Sequence, residues 1–540
     1  MKTVSVPIEY TSPLVNKYLQ DFPEVSHLFE HDPGDTGSFR NRYEVIRRDY
    51  HTDRDELVRI LTAYNEKLNC GAKTRENLQK LKDPRSVVVI TGQQAGVLTG
   101  PLYTIYKTIT VIQLAREVSR QTGIEAIPVF WVASEDHDYT EIDHVEFVGA
   151  DQKFFRLRLD YEPAGKYSVG HLPVTDAVFR LLDELAGDTN PADWKDSMLD
   201  RISGMAGEND NLADWFGAVM SWLFREHGLV LVNPLHKDLR KLWSTTFEEF
   251  LLKADLVSEK LETGRAKVRS LGVEPQVEQA ADSINLFLYV AGERLPLLKT
   301  GDGFTVRGRE RQWTLDQLRE TARKTPEMIS PNVVLRPVAQ DVLLPILAYV
   351  AGPGEISYYA LYREIYPIFN QAMPVIYPRV NITLVERGTA RHMERYGVDF
   401  TMGPDGLKKR LDGYLDEQDR LGIDRLFGNF TADLEKRYRE LIAKAAQIDP
   451  ELTRHGNESL NKILHQVAHF EKKARQHHRK SCDMVIKRFR GLEATLFPRN
   501  NWQERVLNIF PYLFKYGPEF IDNLVELPLL GDFHHKLVFL

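Results

Sequence analysis

The sequence predicts an α/β fold: a buried parallel sheet with inserted subdomains, followed by a long antiparallel helical coiled-coil arm. Three observations predict it. Two apolar runs, SVVVI over 86–90 and IPVFWVA over 127–133, lack polar alternation, as strands covered on both faces do. A helical stretch separates them, which makes a βαβ unit with a right-handed crossover. Beyond residue 411 the apolar positions step by three and four, the spacing of paired amphipathic helices.

The first 85 residues are charged and read as helices, most clearly over 39–81. After the first strand comes TGQQAGVLTG (91–100), and Pro101 opens a helix, where its missing N–H costs nothing. Leu102, Ile105, Tyr106, Ile109 and Ile112 mark one helical face, and Gly123 stops it. The runs 229–232, 333–335 and 375–377 are expected to add strands. Between them, 152–226 and 239–331 read as insertions that cover the sheet. The second holds an expected antiparallel pair, 285–290 and 295–299, joined by AGER.

In the arm, Phe430, Leu434, Tyr438, Leu441 and Ala445 form one stripe, and Leu460, Ile463, Val467, Phe470 and Ala474 another. A turn is expected near 449–458, where Pro and Gly occur. Nine Lys and Arg over 461–490 read as a solvated helix face. The tail, 497–540, is apolar and is expected to return to the core. The expected division is therefore 1–385 core, 386–496 arm and 497–540 returning segment.

The chain has 540 residues, room for three or four units at roughly 150 residues each. A net charge of −7 gives no support for a nucleic-acid partner. Two cysteines, Cys70 and Cys482, without a Cys/His ladder point to reduced thiols in the cytoplasm and to no structural metal. The N-terminus lacks the apolar segment of a signal peptide, and no run nears the ~18 residues that span a membrane.

In open α/β sheets, ligands bind beyond the carboxyl ends of the strands. Two motifs fall there. In TGQQAGVLTG, Gly92, Gly96 and Gly100 let backbone amides approach an anion, and Gln93, Gln94 and Thr99 add side-chain hydrogen bonds. The alternative is a tight turn needed for packing. SEDHD (134–138) brings Glu135, Asp136, His137 and Asp138 together after a strand, a costly run unless solvated or used. It offers a general base and oxygen ligands for Mg²⁺; the alternative is a polar helix start. A third cluster pairs Arg336, expected to end a strand and clamp a carboxylate or phosphate, with the GPGE turn.

TGQQAGVLTGPLYTIYK, PVFWVASEDHDYTEIDH, RPVAQDVLLPILAYVAGPGEISYYA, MPVIYPR and QERVLN together resemble the BshC family, the cysteine ligases of bacillithiol biosynthesis. The resemblance implies a Rossmann-like core with connecting-peptide insertions, a coiled-coil arm and a homodimer. It also implies the joining of the L-cysteine carboxyl to the amine of glucosaminyl-malate. That condensation is uphill in water, so ATP, with Mg²⁺, is the expected co-substrate, and no tightly bound cofactor is expected. On this reading the Gly92–Gly100 backbone cradles an anion and Arg336 neutralises a substrate carboxylate. His137 or Asp138 takes the proton of the attacking amine, and Glu135 or Asp136 holds Mg²⁺. Tyr103, Gln340, Asp341, Gly354 and Glu355 complete the expected substrate-binding set. Two alternatives stand beside it: a nucleotidyltransferase acting on another small acceptor, and a non-catalytic coiled-coil interaction protein.

Overall fold

The computed structural model describes residues 1–149, 152–276, 282–301 and 303–540. Residues 277–281 and 302, inside the second expected insertion, lie outside the described residues. The described residues divide into two compact units, Met1–Leu384 with Gln503–Leu540, and Val385–Trp502.

The first unit is organised by a five-stranded parallel sheet. Its strands in chain order are β1 (Val87–Gln93), β2 (Ala126–Val132), β3 (Val230–Val232), β4 (Ile346–Ala351) and β5 (Val375–Pro378). Their spatial order is β3-β2-β1-β4-β5, the Rossmann order. Val87, Val88, Val89 and Ile90 are wholly buried, as β-branched residues in a two-sided sheet should be. The crossover from β1 to β2 is α1 (Leu102–Thr122), whose predicted face is fully buried. It ends where Gly123 takes φ +74, a left-handed C-cap that spares a side chain the steric penalty.

One expected strand is displaced. Residues 333–335 form a turn, and Arg336 begins α2 (Arg336–Leu343) rather than ending a strand. Pro337, in the first turn, suits a helix start. The fourth strand is instead β4, with α3 (Pro353–Tyr359) directly after it. The chain's opening also differs: Lys2–Val6 is a strand, paired antiparallel with His535–Phe539 of the tail.

Both insertions form as subdomain structure. The first carries helices Asp176–Asp188, Lys195–Glu208 and Leu212–Leu223. The second builds a five-stranded sheet in which Ser283–Val290 pairs antiparallel with Glu293–Thr300, the expected hairpin, and with Ile329–Pro331.

The second unit is helical. Its long pair is α4 (Ile423–Ala445) and α5 (Leu452–Ser481), followed by α6 (Asp483–Leu496). Asp424, early in α4, pairs with Arg475, late in α5, so the helices run antiparallel. Two details depart from the expected arm. Gly456 lies inside α5, not in the turn; a Cβ there would stand 2.6 Å from Ile442 Cγ1, so glycine lets the helices approach closely. The stripe turned inward on α4 is Ile423, Phe427 and Ile442, while Phe430 and Leu441 are 56% and 58% exposed. Leu434, Tyr438 and Ala445 of the expected stripe are half-buried, so that stripe is covered in part among the described residues.

Candidate functional site

In the Rossmann order the sheet reverses between β1 and β4, and the crevice beyond their carboxyl ends is where such folds take ligands. Here it holds a cavity of about 570 Å³. Its floor includes Gly92 and Gln93 from β1, Trp131 from β2 and Tyr349 from β4, and Phe287 and Arg294 line it from the second insertion. Trp131 is 1% exposed, and its indole N–H has no partner among the described residues. A second cavity of about 530 Å³ shares Gln93, Val333, Glu355 and Tyr358 with the first and adds Tyr103, Lys107, Gly354 and Arg505.

The glycine-rich stretch divides in two. Gly92 continues β1, and a Cβ on it would press within 3.3 Å of Trp131. Gln94 donates to Asp136 Oδ2 at 2.8 Å, which ties this motif to SEDHD. Gly96, Thr99 and Gly100 form a buried turn that lines neither cavity. Asn508 donates to the carbonyls of Leu98 and Gly100 at 2.7 Å each and pins that turn. The packing reading therefore describes residues 96–100, and contact with a cavity is kept for Gly92, Gln93 and Gln94.

The SEDHD loop also separates into different roles. Glu135 is buried, and its carboxylate accepts from Arg240 and from Ser330 Oγ. It is thus engaged in a buried ion pair. Among the described residues, no group of three His, Cys, Asp or Glu is placed to hold a metal ion. Asp138 is exposed, lines neither cavity and accepts from Thr140 at 2.9 Å. Asp136 and His137 line the first cavity. Burial pushes the Asp136 carboxyl up, but Gln94, Arg294, the His137 backbone N–H and Arg336 outweigh it and hold it below its ordinary range. Burial, reinforced by Arg294, lowers the His137 pKa.

Arg336 lines the first cavity, and among the described residues its guanidinium makes one hydrogen bond, a long one of 3.4 Å, to the Tyr358 hydroxyl. No carboxylate pairs with it among the described residues. Gln340 lines the same cavity, whereas Asp341 does not. Asp341 is held in a buried bidentate pair by Arg42 Nη2, at 2.6 and 2.8 Å. Its place one residue after Gln340 turns it to another face of α2, which makes it structural.

Glu355 is a half-buried anchor that lines both cavities. It pairs with Lys107 at 2.5 Å and accepts from Tyr349 at 2.8 Å and from the Gly352 N–H at 2.7 Å. Lys107 also reaches the Gly92 carbonyl at 2.9 Å, so one buried cation locks β1 to the turn after β4. Burial lowers the Lys107 pKa. Arg379, just beyond β5, is held by Glu504 through two hydrogen bonds at 3.0 and 2.6 Å. Lys107, Arg294, Arg379 and Arg505 were not singled out from the sequence. The available signals for the last two were the motifs MPVIYPR, which ends on Arg379, and QERVLN, which supplies Glu504 and Arg505.

The strand order and the polar crevice at its reversal define a Rossmann-like α/β protein with a site of small-molecule size. Residues 1–380 match the family model described as the BshC N-terminal Rossmann-like domain of bacillithiol biosynthesis, and 382–540 match the BshC C-terminal coiled-coil domain. The chain belongs to the BshC family. It is 38% identical over 534 residues to a protein of Desulforamulus reducens, covering 98% of each chain. It is 39% identical to one of Symbiobacterium thermophilum, covering 97% of each, and 29% identical to one of Bacillus cereus strain Q1, covering 100% and 99%. Each carries the name "Putative cysteine ligase BshC". No helix among the described residues is long and apolar enough to cross a membrane.

Proposed function

We propose that this chain joins L-cysteine to glucosaminyl-malate to give bacillithiol, and that the reaction takes place in the crevice above β1 and β4. The observation that carries the reading is Arg336, a cation without a carboxylate partner among the described residues, facing the same cavity as the ionised Asp136. Glucosaminyl-malate presents an ammonium and two carboxylates, the charges this pair complements. Asp136 would hold the amine beside the incoming acyl carbon, and Arg336 would bind a malate carboxylate. The cysteine carboxyl must be activated before an amine can displace its oxygen. ATP is the proposed activator, and Arg505 in the adjoining cavity, which pairs with no carboxylate among the described residues, is the group proposed for its phosphates.

The test is incubation of the pure chain with cysteine, glucosaminyl-malate, ATP and Mg²⁺, with bacillithiol read by mass. Product that depends on all three organic substrates supports the reading. No product, together with unchanged thiol pools in a deletion strain, overturns it.

We infer also that the chain acts as a homodimer. The support is a set of exposed apolar side chains on α4, where Leu426, Phe430 and Leu441 are each more than half exposed. A second copy offers the same side chains, as a two-fold interface requires.

A further inference from the structure

We propose that Arg294 is a positioning residue that holds His137 as a neutral imidazole with its proton on Nε2, so that His137 serves the cavity as a hydrogen-bond donor and not as the base. The donor role rests on the ligase reading above; the position of the proton does not.

The geometry begins with one contact. Arg294 Nη1 lies 3.2 Å from His137 Nδ1. A guanidinium has N–H donors and no acceptor, so Nδ1 must offer its lone pair. A neutral imidazole has one N–H, which leaves the proton on Nε2. Protonation of Nδ1 would set two donors face to face. The lone pair a base needs is therefore turned toward a cation, and the nitrogen left for a ligand carries a hydrogen.

Neither partner is free to turn away. Arg294 is 6% exposed. Its Nε donates to Ser330 Oγ at 2.9 Å and its Nη2 to the Pro331 carbonyl at 2.9 Å. Its guanidinium lies 3.7 Å from the Phe287 ring centroid, and the same ring meets His137 edge-on at 5.6 Å. Ser330, having accepted from Arg294, donates onward to Glu135 Oε1 at 2.7 Å, and Arg240 donates to the same oxygen. Every hydrogen bond in this chain has one allowed direction. The charged groups around His137 are Asp136 and Asp138 on its own loop, Arg294, and Lys166 of the first insertion. The carboxylates favour a charged ring, while burial and the two cations oppose it and prevail. The buried Glu135 of the SEDHD motif thus acts through two residues, Ser330 and Arg294, on what His137 can do.

The test is a nitrogen–carbon correlation spectrum of the imidazoles in the full chain, labelled at histidine, with His137 assigned by the signal lost in His137→Gln. The expected spectrum at neutral pH shows His137 uncharged with its proton on Nε2. In Arg294→Lys, which lacks the fork, that signature shifts toward the other tautomer or the charged ring. In the bacillithiol assay, His137→Gln, whose amide N–H stands in for Nε2–H, retains about 10-fold more kcat than His137→Ala. A wild-type ring that is charged or carries its proton on Nδ1 overturns the proposal, as does equal loss in His137→Gln and His137→Ala. The spectrum needs no substrate. A chain that makes no bacillithiol therefore defeats the ligase reading, while the spectrum alone decides the tautomer.

Discussion

Arg336 and Asp341 sit five residues apart in one helix, and both looked like substrate ligands in the sequence. The structure separates them by what faces each. Arg336 faces a cavity and lacks a carboxylate partner among the described residues, so its replacement should act on substrate: Arg336→Ala should lower kcat/KM for glucosaminyl-malate roughly 10- to 100-fold, the worth of one charge-assisted hydrogen bond. Thermal stability should hold, and an unchanged kcat/KM would remove Arg336 from the site. Asp341 faces Arg42, so its replacement should act on folding. Arg42→Ala strands a buried carboxylate and should cost about 3–5 kcal/mol in urea unfolding, whereas replacing both partners with apolar residues should recover much of that loss. Equal cost in the single and double variants would show that the pair is not the cause. Sequence alone could not make this distinction, because Arg42 is distant in the chain and nothing local announces it. Arg294 was hidden for the same reason: it lies in an insertion hairpin, and only the fold carries it to His137.

At the level of elements, the motifs were legible where local chemistry speaks. The β-branched run of β1, the helix stop at Gly123 and the hairpin pair all declare themselves through residue type and spacing. The fourth strand was misplaced because residues 333–335 and the run through β4 are equally apolar, and periodicity cannot rank two short runs. The turn at 96–100 was legible as a turn, but not its place away from both cavities. There Leu98, Thr99 and Gly100 all have positive φ, and Gly100 combines φ +68 with ψ −154, a region that glycine alone occupies comfortably. Gly100→Ala should therefore destabilise by about 1–3 kcal/mol in calorimetry or urea unfolding. KM should stay the same, since the residue lines neither cavity. A changed KM with unchanged stability would return this turn to the binding site.

For the whole molecule, two histidines weigh on the response to acid. His535, fully enclosed beside Arg379 and Lys536, and the half-buried His31, near Arg42 and Arg363, are both lowered from 6.5 to about 4, chiefly by burial. Between those values the unfolded chain binds more protons than the folded one, so stability is complete above pH 6.5 and is lost as pH falls toward 4. For His535 the loss is about 3 kcal/mol, and His535→Gln should flatten the decline in urea unfolding between neutral and mildly acid pH. An equally steep decline in that variant would place the acid sensitivity elsewhere. The exposed apolar side chains on α4 predict that Phe430→Glu with Leu441→Glu yields a monomer in sedimentation; a wild-type chain that is already monomeric contradicts the homodimer. The resemblance pointed to the family and its core, but how the tail's Asn508 and Glu504 reach back to brace that core emerges only in three dimensions. If the crevice above β1 and β4 is where substrate is held, a crystal structure with glucosaminyl-malate bound should show a malate carboxylate paired with Arg336 and the amine beside Asp136. The ligand found outside that crevice, or bound within it with Arg336 untouched, would overturn this assignment.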